Sequence, residues 1–195
     1  MSDGDLVCAL ALIDEANGRD PGCDADGTPK ALAYGRRMSR WLDRLAPAAS
    51  DALRIAVRAQ HIERWTVPRD SYPMDRIGYH RWRTGLQRMH GERAGAIARA
   101  AGYDAVTVGR VASLVRKEGI KRDAEAQALE DAACLSFLED EFAAFATRYD
   151  DAKIVDIVRK TWAKMSPQGH ALALELSTEL PETARALIQR VLEGA

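Results

Sequence analysis

Hydrophobic positions along this chain recur at the three- and four-residue steps of a helix, and glycine and proline cut the pattern into segments. Leu6, Leu10 and Ile13 mark a first helix over 4–17, closed by Asn17-Gly18. The stretch NGRDPGCDADGTP (17–29) is turn chemistry throughout. Pro29 opens a second helix that runs to about Leu45, with Met38, Trp41 and Leu42 on its apolar side. A third begins at Pro47 and Ser50 and reaches His61 to Trp65, and the two prolines of TVPRDSYPMD (66–75) then impose a loop. Long helices are predicted over 75–101 and 123–148, with shorter ones over 104–118 and 151–165 and from Pro167 and Pro181. No segment carries the strict alternation of a half-buried strand. The expected class is all-α.

Within 123–148, Ala128, Leu135, Leu138, Phe142 and Phe145 form a stripe that faces the core, and Asp131 falls on it. A carboxylate on an apolar face is costly unless it is hydrogen-bonded, paired or metal-bound. Asp131 is therefore tied to an arginine or a helix N-terminus, or it is a ligand.

Length and composition narrow the class. The 195 residues fit one domain, with a core over 29–148 and a small C-terminal helical appendage over 150–195 packed on it. The net charge of −1 gives no global argument for nucleic acid or an anionic membrane. Cys8, Cys23 and Cys134 are widely spaced with no CxxC pair, which argues against a zinc knuckle or a disulfide framework. No signal-like segment opens the chain and no apolar run approaches ~18 residues, so a cytoplasmic protein away from membranes is expected. Association into a homo-oligomer stays open.

Charge is distributed unevenly. Between positions 54 and 93 lie nine arginines, no lysine and four acids, a local balance of +5 that leaves −6 for the rest of the chain. Arginine without lysine suits planar, bidentate contact with carboxylate or phosphate, although a salt-bridged helix face would show the same composition. His61, His80 and His90 share the window. His61 stands four after Val57, and His90 lies between Leu86 and Ala94, so both point inward from different helices. With Asp131 they form an inward polar set that can converge on one pocket.

The order of these features resembles the HD-domain metal phosphohydrolase superfamily. ALAYGRRMSRWLDRL is similar to its first helix, AVRAQHIERW to its His-Asp helix, HGERAGAIARAAGY to its added-histidine helix and AEAQALEDAACLSFLEDEF to its closing helix. Tyr34 stands where the first histidine would be, Ile62 follows His61, and Lys117 or Glu118 occupies the place of a later histidine. The resemblance thus implies His61, His90 and Asp131 as ligands of a divalent metal (Fe, Mn, Zn or Mg), with His61, Glu63 or Glu92 moving the proton. A resemblance that covers more of the chain, through YGRRMSRWL, RAQHIERWTVPRDSYPMDRIGYHRWRTGLQRMH and LEDAACLSFLEDEFAAF, is to the family catalogued as domain of unknown function 4202.

Two functions follow as expectations. One is a hydrolase of a small phosphorylated or otherwise anionic metabolite, held by Arg58, Arg64, Arg69, Arg76, Arg83 and Lys117. The other is a non-catalytic module that senses such an anion or a nucleotide on a degenerate HD-like fold. RNA binding through the arginine stretch, with Trp65, Tyr72, Tyr79 and Trp82 as stacking surfaces, is disfavoured by the overall negative charge.

Overall fold

A computed structural model describes residues 4–142 and 150–178, together with 182 and 185. Its regular elements are the helices α1 (Leu6–Asn17), α2 (Lys30–Leu45), α3 (Asp51–Arg58), α4 (Arg76–Ala100), α5 (Ala105–Val115), α6 (Ala124–Ser136), α7 (Asp151–Trp162) and α8 (Pro167–Ser177). Among the described residues there is no strand, only an isolated bridge between Cys23 and Pro29 that closes the first loop. The molecule is all-α. Phe145, the predicted helical stretch 143–148 and the segment from Pro181 lie outside the described residues.

Polar residues start the helices where the sequence places them. Asp5, Ser50, Asp75, Asp104, Asp123, Asp150 and Ser166 each accept a hydrogen bond from a backbone N–H two or three residues on. Each such cap contributes about 1 kcal/mol by satisfying a donor that has no partner inside the helix. The ends differ more from expectation. Helix α3 stops at Arg58 rather than running on to Trp65: Ala59 leaves helical geometry, the Gln60 N–H donates to Val57 three residues back, and Glu63, with a left-handed φ of 53°, leads into a 3-10 turn over Arg64–Thr66. Lys117, at φ 60°, likewise follows the end of α5 at Val115.

Helix α3 is short and central. It packs on α1, α2, α4, α5 and α6, and buries Ala52, Leu53, Ile55, Ala56 and Val57. Its closest neighbour at the C-terminal end is α2, where a Cβ on Gly35 would lie 2.9 Å from the Arg58 carbonyl oxygen. The glycine at that crossing permits the approach that seats the adjacent Tyr34 against His61.

Helix α6 is buried around most of its girth, with Ala126, Leu129, Glu130, Asp131, Ala132, Cys134, Leu135 and Ser136 all inside. The predicted single stripe therefore understates it, and two consecutive carboxylates enter the interior. After Ser136 the helix widens into a π-helical turn over Phe137–Glu141, in which the Phe142 N–H donates to the Phe137 carbonyl five residues back. Among the described residues no helix is long and apolar enough to cross a membrane.

Candidate functional site

The ends of α2 and α3, the 3-10 turns and the π-helical turn enclose a cleft of about 810 Å³. Its floor is a stack. The His61 ring lies on Tyr34 with centroids 4.5 Å apart and planes 13° from parallel. Arg64 Nη1 sits 3.5 and 3.3 Å from the two ring nitrogens of His61. Near-equal distances put the guanidinium against the ring rather than in line with either lone pair. Behind His61, the His90 ring is 6.0 Å away, its two nitrogens buried without a hydrogen-bond partner.

Both histidines are held neutral. Burial pushes His61 well below its ordinary value of 6.5, and the Arg64 guanidinium adds to the effect. Burial likewise lowers His90 to about 4, against the pull of the nearby Ile62 carbonyl in the other direction. Burial raises the Tyr34 hydroxyl, which stays protonated. The floor is thus polar and uncharged, while positive charge stands at its side.

The arginines of the charged stretch separate into three groups. Arg58 grips Asp14 through two hydrogen bonds of 2.7 and 2.9 Å and a third of 3.1 Å to Ser39, so it holds α3 to α1 and α2 rather than meeting a ligand. Arg54 pairs with Asp43 and Arg93 with Glu63. Arg76, Arg81, Arg83 and Arg88 project into solvent from α4. Arg64 and Arg69 line the cleft, stacked over Trp82 at 4.9 and 5.9 Å, and neither has an acid within ion-pair distance among the described residues. Arg69 also fixes its own loop by donating to the carbonyls of Tyr72, Pro73 and Asp75. Trp82 Nε1 donates to Val67 from the other side. The 66–75 segment is therefore a fastened wall.

The remaining candidates are employed elsewhere. Glu63 is bound to Arg93 at 3.0 and 3.2 Å, and Glu92 is exposed on α4, 3.9 Å from Arg88. Lys117 donates to Glu130 at 2.6 Å in a buried pair. Asp131 accepts from the Ser166 N–H at 2.9 Å, the Ser166 hydroxyl at 2.5 Å and Gln127 Nε2 at 3.0 Å. Its carboxylate secures the N-terminus of α8, which is the helix-terminus alternative named above. A Cβ on Gly169 would come within 2.8 Å of that carboxylate, so the first turn of α8 fits closely over it.

The implied metal set does not assemble. His61 and His90 are neighbours, but the Asp131 oxygens are spent on Ser166 and Gln127. Among the described residues no three His, Cys, Asp or Glu side chains converge as metal ligands. The residues present do not fit the metal centre that the HD-type resemblance implies.

The cleft also contains groups that periodicity did not single out. Arg37, from α2, pairs with Asp140 at 2.7 Å, and Asp140 and Glu141 line one side of the cleft from the π-helical turn. The available signal was the five-residue step between Phe137 and Phe142, whose rings meet edge to face at 6.2 Å around the acidic run Glu139-Asp140-Glu141.

A family model described as a domain of unknown function (DUF4202) matches residues 8–188. The chain belongs to that family. No curated protein and no solved structure matches it. The DUF4202 match takes in all the elements that build the cleft, from the first loop to the π-helical turn.

Proposed function

We propose that this DUF4202 chain is a binding module for a small phosphorylated or otherwise anionic metabolite, held in the cleft over Tyr34 and His61. One observation carries this reading: Arg64 and Arg69 stand together at the cleft with no acid among the described residues in ion-pair distance. An uncompensated guanidinium half out of water is a preorganised anion receptor, because its desolvation cost is already met and its fork matches phosphate oxygens. Trp82 behind both groups fixes their planes. The test is thermal denaturation with inorganic phosphate. Phosphate at millimolar concentration raises the Tm of the wild type, and Arg64→Gln abolishes the rise without lowering the Tm of the ligand-free protein. An equal shift in both proteins refutes the reading.

A second reading, hydrolysis, has one observation in its favour. His61 is neutral and borders the cleft, so its one basic ring nitrogen is available as a proton acceptor. Such an imidazole takes a proton from a water as that water adds to phosphorus, and returns it to the leaving oxygen as the P–O bond breaks. Steady phosphate release from phosphomonoesters that disappears in His61→Ala would establish it.

A further inference from the structure

An anion receptor gains nothing from carboxylates beside it, yet this cleft has as many acids as bases. Lys30, Arg37, Arg64 and Arg69 line it, and so do Asp20, Asp24, Asp140 and Glu141. Internal pairing removes part of each set. Arg37 and Asp140 neutralise one another at 2.7 Å. The Asp20 carboxylate accepts from the Gly22 and Ala31 N–H groups at 2.9 and 3.0 Å, which ties the loop to the start of α2. Those backbone hydrogen bonds hold Asp20 in place without neutralising it, so Lys30, Arg64 and Arg69 face Asp20, Asp24 and Glu141, and the formal charges of the cleft balance over a neutral floor.

Arg64 and Glu141 define the gap. They do not form an ion pair, so they stand beyond roughly 4 Å. They are nonetheless close enough that Arg64 is the strongest charge acting on the Glu141 carboxyl, lowering its pKa against a larger upward push from desolvation. Opposite charges that sense one another across a solvent-accessible cleft, without collapsing together, leave room for a ligand that bridges them. A polyanion placed there would meet Glu141 and Asp24 head on, and like charges in such a site cost several kcal/mol.

We infer that the ligand of this cleft is a zwitterion, with a phosphate or carboxylate on Arg64 and Arg69 and a cationic ammonium group on Glu141. This rests on the anion-binding reading above and makes its ligand class specific. The complement of a cleft with free charges of both signs is a molecule that itself carries both, such as a phosphomonoester that carries one amine. Nucleoside triphosphates and other polyphosphates concentrate negative charge with no ammonium group to meet the carboxylates, and do not complement it.

Isothermal titration of the full chain with a series of ω-aminoalkyl phosphates and alkyl phosphates of equal length tests it. At least one aminoalkyl phosphate binds about ten-fold or more tighter than its alkyl counterpart, and tripolyphosphate gains no advantage over either. Glu141→Gln removes the amine preference and leaves alkyl phosphate binding intact, while Asp24→Asn reduces the preference. The zwitterion is overturned if alkyl phosphates bind the wild type as tightly as their amines, or if the preference survives both substitutions together. If no member of either series binds, or if Arg64→Gln leaves all the affinities unchanged, the anion-binding reading falls as well.

Discussion

Two places in this protein take charge out of bulk water and treat it in opposite ways. At the junction of α6 and α8, Asp131 is 2% exposed and meets three donors. One residue earlier, Glu130 is matched by Lys117. At the cleft, Arg64 and Arg69 meet no acid among the described residues, and behind it the His90 ring nitrogens are buried without a hydrogen-bond partner among them. Charge that the fold uses for cohesion is neutralised within the fold. At the cleft only Arg69 serves cohesion, through carbonyls of its own loop, and the contrast supports the proposal that another molecule meets the charge there.

The comparison can be broken at several strengths. The largest expected effect is at the Glu130 pair: Lys117→Met strands a carboxylate that is 8% exposed, with Lys164 only 3.9 Å from its other oxygen. A loss of about 3 kcal/mol in urea denaturation is expected, because the removed partner leaves an uncompensated buried charge. Acid comes next. His90 has a folded value of about 4 against 6.5 unfolded, so the unfolded chain binds protons first as pH falls. Its contribution is complete above pH 6.5 and is lost as pH falls towards 4, about 3 kcal/mol in all. His90→Gln should flatten the pH dependence of the urea midpoint across that window; an unchanged slope would show that His90 is not held neutral. Asp131→Ala should cost about 2 kcal/mol by releasing the start of α8, and it should leave phosphate affinity unchanged. A loss of phosphate binding in that variant would return Asp131 to the site. Glu63→Ala is the smallest, under about 1 kcal/mol, since its partner Arg93 is 43% exposed and screened.

The helices were readable because their starts and apolar steps are local properties. Asp75 before the long helix and Gly102 after it say where α4 lies with no help from the rest of the chain. Charge pairing is not local. Arg58 and Arg64 are six residues apart in one cationic run, and nothing in that run reveals that Asp14 is folded against the first and, among the described residues, no acid against the second. Asp131 was legible as a buried acid that needs partners, but the choice between a metal and a helix start depended on Ser166, thirty-five residues on. Glu130 escaped because a one-stripe reading admits only one face of α6. Glu63 and Lys117 carry the chemistry of site groups, yet both stand where a helix has stopped and adopt left-handed backbone that their residue types do not advertise.

The π-helical turn has a consequence for register. Each residue of an α-helix advances the direction of its side chain by about 100°, so the extra residue between Phe137 and Phe142 offsets all that follows by that amount. The acid side of the cleft is therefore indexed to one inserted position. A chain lacking one residue from Phe137–Glu141 would regain regular helix and keep its composition and most of its charge, but it would carry Asp140 and Glu141 around the helix and off the cleft. The length of this short run, more than the count of arginines, therefore decides whether the cleft has an acid side at all.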